Sequence, residues 1–104
     1  VVVGVPKEIK KDEYRVALVP SGVAQFRKAG HTVLVQAGAG KGSEIPDREY
    51  AQAGAEIVEK AAGIFRRAQL ILKVKEPQPS EYPLLKAGQV LFTFFHFAAD
   101  KKLA

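Results

Sequence analysis

The chain contains no cysteine, which excludes disulfides and thiolate metal sites; no metal site is expected in it. It also has no apolar run approaching the roughly 20 residues of a membrane-spanning helix. The opening Val1-Val2-Val3-Gly4-Val5-Pro6 lacks the charged start and apolar length of a signal peptide. A soluble, cytoplasmic protein is the expectation. The first residue is Val rather than Met, as in a processed chain or a piece of a longer one. Internal repeats and low-complexity linkers are missing too. Basic residues outnumber acidic ones by 16 to 11, for a net charge of +5, yet no aromatic residues interleave with them in a nucleic-acid motif. The densest basic pairs, Lys10-Lys11, Arg66-Arg67 and Lys101-Lys102, lie far apart. The charge therefore suits a small anionic substrate, and no nucleic acid is expected as partner.

What remains is a single domain, residues 1–104, with 47% hydrophobic residues and so enough for a core. A complete nicotinamide enzyme usually needs one domain for the dinucleotide and another for the substrate, so this length suggests a fragment or one of several chains.

Buried strands and amphipathic helices alternate along the chain. Residues 1–5 form an apolar run closed by Pro6, read as a buried parallel strand. A long polar connection follows over 7–19. Such connections often carry function. Pro20-Ser21 opens a helix with Ser21 as N-cap, Val23 and Phe26 on one face, and Gly30 beyond its end. Further strands are expected at 31–36, 55–58, 69–75 and 89–95. Helices are expected from Asp47 as cap to Gly54, over 59–68 with Ala62, Phe65 and Ala68 inward, and from Ser80 as cap to Lys86. A last helix is expected to start at Ala98. This order predicts an α/β fold: an open parallel sheet, Rossmann-like or flavodoxin-like, in three αβα layers.

Open sheets of this kind bind ligands outside the carboxyl ends of their strands. Three residues fall on that rim: Arg15 in the connection after the first strand, Lys75 at the end of the fourth, and His96 at the end of the last. An arginine fork grips a carboxylate, a lysine stabilises charge on a carbonyl oxygen, and a histidine exchanges protons near neutrality. Together they suit a 2-oxo acid. Plainer roles fit each of them equally. Arg15 also reads as a solvated loop arginine. Lys73 and Lys75 share a strand face and both fit a solvent-facing strand end. His96, between Phe95 and Phe97, also reads as structural, as does His31.

The glycine-rich stretch Gly38-Ala39-Gly40-Lys41-Gly42-Ser43 has neither the spacing of a P-loop nor the third glycine of a dinucleotide fingerprint. It reads as a tight turn requiring positive φ angles. No cofactor-binding residue is expected in this chain.

The segments Gly4-Val5-Pro6-Lys7-Glu8-Ile9-Lys10, Glu13-x-Arg15-Val16-Ala17, Leu72-Lys73-Val74-Lys75-Glu76-Pro77 and Leu91-Phe92-Thr93-Phe94-Phe95-His96-Phe97-Ala98-Ala99 are familiar as a set. With Pro20-x-Gly22-Val23, Gly30-His31-x-Val33 and Ala53-Gly54-Ala55, the chain resembles the N-terminal domain of the alanine dehydrogenase and proton-translocating transhydrogenase family over nearly its whole length. Lys75 and the context of His96 favour the dehydrogenase branch. Phe95 and Phe97 stand where that branch usually has leucines.

The resemblance implies that Arg15 and Lys75 hold the carboxylate and carbonyl of pyruvate or L-alanine, with His96 as acid/base. It implies an NAD-dependent oxidative deamination, with NAD held by a downstream Rossmann-type domain, and a homohexameric full-length enzyme. The 104-residue chain alone is then expected to be inactive. The rival readings are the first domain of a transhydrogenase and a non-catalytic carboxylate-binding module.

Overall fold

The structure, a computed structural model, describes residues 1–94. His96 and the helix expected from Ala98 lie outside the described residues. Five strands, β1 (Val2–Val5), β2 (Thr32–Gln36), β3 (Glu56–Val58), β4 (Leu70–Lys73) and β5 (Val90–Thr93), form one sheet. All neighbours pair in parallel, in the order β3-β2-β1-β4-β5. This is the open parallel α/β fold expected from the sequence.

Period-two alternation divides the apolar strand residues between two faces. Val3, Val5, Val33, Val35 and Leu72 pack in one cluster with Val23 of α1 (Pro20–Lys28) and Tyr50 of α2 (Asp47–Gln52). Leu34 and Ile71 pack in the other with Ile64 and Phe65 of α3 (Ala61–Arg67). The continuous valine run of β1 is thus explained by burial from both sides. The inward face of α3 is Ala61, Ile64, Phe65 and Ala68. Ala62, expected to face inward, is exposed.

Several local expectations are corrected. Val19, not Ser21, is the N-cap of α1, because Pro20 occupies the first helical position, where its fixed φ suits the helix and its missing N–H is not needed. Pro46, not Asp47, precedes α2, and the Asp47 carboxylate instead accepts the Gly38 N–H at 2.9 Å. The helix expected at 80–86 is a 3-10 helix, Pro79–Leu84, begun by Gln78 rather than Ser80. Glu81 closes a capping box with Gln78, and Pro83 supplies no N–H for a longer α-helix. The ends of α1 and α2 do follow expectation. His31 N–H donates to Phe26 O and Gly30 N–H to Arg27 O, with the same pattern at Ala55 and Gly54. Both are Schellman motifs, with the glycine at positive φ.

The chain goes from β1 outward to β2 and β3, then returns across β1 to β4 and β5. The strand order therefore reverses between β1 and β4. Their carboxyl ends flank the crevice where sheets of this kind take ligands.

Candidate functional site

Residues 6–19 leave β1 without a helix and are tied down from several sides. Lys7 N–H donates to the Gln36 side chain at 2.8 Å, and Lys10 forms an ion pair with Glu76. The Tyr50 hydroxyl, buried in α2, donates to Leu18 O at 2.7 Å, and burial pushes its pKa up to about 12. Ser43 Oγ donates to Tyr14 O at 3.1 Å.

The glycine stretch forms the opposite wall. Of its three glycines, only Gly38 has a positive φ, 80°. Gly42 is needed for a different reason: a Cβ there would lie 2.5 Å from Tyr14 O. The expectation that positive φ explains this loop is therefore only partly right: close approach of the chain carrying Arg15 explains Gly42, and close approach of Ile45 and Tyr50 explains Gly40. The N–H groups of Gly38, Lys41 and Ser43 donate within the loop or to Asp47, and that of Ala39 to Gln36 O at the end of β2. That arrangement does not fit a phosphate cradle, which needs such groups aimed at the ligand. Between loop and connection lies a cleft of about 460 Å³, lined by Lys7, Glu13, Tyr14, Arg15 and Lys41 among others.

Arg15 stands in this cleft with its side chain 57% exposed. Glu13, only 3% exposed, grips it: Nε donates to Oε2 at 3.0 Å and Nη2 to Oε1 at 2.9 Å. The Arg15 N–H also donates to Oε2, at 2.9 Å. The Arg15 hydrogen bond is the chief reason the Glu13 carboxyl sits below the usual carboxylate range, and the Lys75 charge adds to it. Lys75 acts in the same way on Glu76, behind the dominant Lys10 hydrogen bond. Arg15 and Lys75 thus lie on the same rim, and of the two only Arg15 is held directly by Glu13, Lys75 acting on it through its charge. Lys75 itself is not among the residues lining the cleft. His96 lies outside the described residues. His31 packs edge-to-face on Phe26 at 6.1 Å, in keeping with a structural residue.

The strand end holding Lys75 departs from expectation. β4 stops at Lys73, not Lys75. Lys73 does not face water: its side chain is 1% exposed, between Glu8 at 3.3 Å and Glu81 at 3.2 Å. The other interactions of Glu8 replace the strand ladder, since Oε2 accepts Val74 N–H at 3.0 Å and Oε1 accepts Lys75 N–H at 3.2 Å. Sequence reasoning missed both Glu8 and Glu13. Each had a signal. Lysine inside Leu70-Ile71-Leu72-Lys73-Val74 calls for a buried counter-charge. Glu13-x-Arg15 in an extended loop puts both side chains on one side.

These features define a class: an open α/β domain with a cationic, carboxylate-buttressed site at the switch point of its sheet. The sequence matches the family described as alanine dehydrogenase/PNT, N-terminal domain, over residues 4–104, and the chain belongs to that family. It is 54% identical over 99 residues to alanine dehydrogenase of Mycolicibacterium smegmatis, covering 95% of this chain and 27% of that protein. It is 54% identical over 101 residues to alanine dehydrogenase of Methanococcus maripaludis, covering 97% and 27%. An L-alanine dehydrogenase structure superposes with a TM-score of 0.89 at 47% identity, over 99% of this chain and 28% of that one. A transhydrogenase from Sinorhizobium meliloti superposes with 0.87 at 34% identity, over 98% and 29%. The chain thus spans about a quarter of the length of the relatives it matches. Among the described residues no helix is long and apolar enough to cross a membrane.

Proposed function

We propose that residues 1–104 form the substrate-binding domain of an NAD-dependent alanine dehydrogenase, which interconverts L-alanine and pyruvate with release or uptake of ammonium. The observation that supports this is the Glu13–Arg15 fork in the rim cleft, with Lys75 just past the end of β4 on the same rim. Arg15 takes the substrate carboxylate, where planar fork geometry gives paired hydrogen bonds. Lys75 donates to the substrate oxygen and stabilises negative charge on it. His96 takes the acid/base role that the family resemblance assigns to it. NAD, held by the part of the relatives that this chain does not span, supplies the hydride acceptor when bound. The same reading gives a homo-oligomeric whole protein.

A second reading has support from the transhydrogenase superposition: the first domain of an enzyme passing hydride between two dinucleotides. One experiment separates them. The intact protein carrying this chain is expected to form NADH on addition of L-alanine. Lys75→Ala and Arg15→Ala are each expected to lower kcat/KM for pyruvate by about 100-fold or more, the scale for removing a charge-stabilising donor. Dinucleotide-to-dinucleotide transfer without alanine-dependent NADH formation would establish the second reading. Unchanged kinetics in both variants would remove these residues from the site.

A further inference from the structure

One charge cluster on the rim has no part in the proposed chemistry. Lys73, Glu8 and Glu81 are all buried, the two carboxylates 3% exposed on either side of the ammonium. Such a triad is a weak source of stability, because desolvating three charges offsets much of their attraction. Its hydrogen bonds show what else it does. The second oxygen of Glu81 accepts Gln78 N–H at 2.8 Å, so Glu81 serves its own turn. Glu8 reaches across the sheet. It follows β1, yet its two oxygens hold the N–H groups of Val74 and Lys75 just past the end of β4. The β4–β5 register stops at Lys73 and Thr93, so this carboxylate takes over where strand pairing ends.

We infer that Glu8 is a positioning residue: it fixes the main chain at 74–75, and with it the root of the Lys75 side chain, across the switch point between β1 and β4. Lys73 and Glu81 in turn hold Glu8. The inference rests on the reading of Lys75 as a substrate ligand. Only a carboxylate suits the place, since both oxygens of Glu8 face donors. An amide at this position would turn its own N–H₂ toward a main-chain N–H whichever way it flipped. Displacing a substrate-holding group by about 1 Å is enough to cost on the order of 100-fold in rate.

The test compares Glu8→Gln with Glu81→Gln in the intact protein. Both remove one charge from the triad, and both are expected to lower the thermal unfolding midpoint. Only Glu8→Gln releases residues 74–75, so it alone is expected to raise KM for pyruvate, by about tenfold, while Glu81→Gln stays within about twofold. In a Lys75→Ala background, Glu8→Gln is expected to change kcat/KM by less than about twofold, because the residue it positions is gone.

Should Glu8→Gln fail to fold, Glu8→Asp keeps the charge beside Lys73 but is one methylene too short to hold the N–H groups. It is expected to raise KM with a smaller drop in midpoint. The inference is overturned if KM moves equally in Glu8→Gln and Glu81→Gln, if Glu8→Asp leaves it unchanged, or if the Glu8 effect persists in full without Lys75. A Lys75→Ala variant with unchanged pyruvate kinetics would overturn the reading of Lys75 itself, and the inference with it.

Discussion

Around β4, two neighbouring regions solve opposite problems. At its carboxyl end, charged groups are buried and paired: Lys73 with Glu8 and Glu81, and nearby the buried Glu13 with Arg15. On the flank that β4 and β5 turn toward α1, the surface is apolar and open. Ala17, Leu18, Phe26, Leu70 and Leu72 line a groove with Phe92 and Phe94, which are 46% and 50% exposed. The opposite face of the same two strands is covered, since Leu84 and Leu85 pack with Ile71 and Leu91. The difference lies in where the β4-to-β5 connection runs. It passes over the α3 face, so among the described residues only the α1 side of β5 is left open. Ion pairs and the hydrogen bonds they add to the main chain are therefore gathered at the carboxyl end of the sheet, where they hold the loops, and the flank relies on apolar contacts.

Three substitutions test this contrast. Lys73→Met should have the largest effect. It leaves two carboxylates without the ammonium between them, and breaking a buried pair in this way costs about 3–5 kcal/mol, a large share of a small domain's stability. Denaturant titration of the 104-residue chain should show it, and a loss below about 1 kcal/mol would mean the triad is solvated. Gly42→Ala comes next. Its Cβ would meet Tyr14 O at 2.5 Å, a main-chain atom that cannot swing away. Overpacking of this sort costs about 1–3 kcal/mol, and it should also weaken pyruvate binding, because Tyr14 precedes Arg15. Loss of stability without loss of pyruvate binding would uncouple the glycine loop from the site. Phe94→Ser should matter least. Its edge-to-face contact with Phe92, at 5.2 Å, is lost together with the burial of half its side chain, a matter of about 1–2 kcal/mol. A loss in the 104-residue chain as large as that of Lys73→Met would erase the contrast between rim and flank.

The strands were legible because each is a short apolar run with turn residues on both sides. That signal is local. The boundaries were less so. The run 69–75 reads as one strand because apolar residues continue to Val74, yet pairing stops at Lys73 and Glu8 takes the N–H groups of Val74 and Lys75. α1 began two residues early because a proline at the first turn outranks a serine cap. At the site, Arg15 and Lys75 could be placed on the rim from strand order alone. Glu8 could not, because its partners Lys73, Val74 and Lys75 lie 65 to 67 residues away in the chain.

The sequence by itself determined the alternation of strands and helices, and hence a parallel sheet, its carboxyl rim and the membership in the alanine dehydrogenase/PNT family. Hydrophobic periodicity is written locally and survives being read in one dimension. Only the tertiary structure decided which of two lysines on one strand face is buried, which carboxylates meet it, and why one glycine loop must lie flat against the residue before Arg15. Those outcomes depend on charges and main-chain atoms from distant segments arriving within hydrogen-bonding or contact distance, and no local pattern records that meeting.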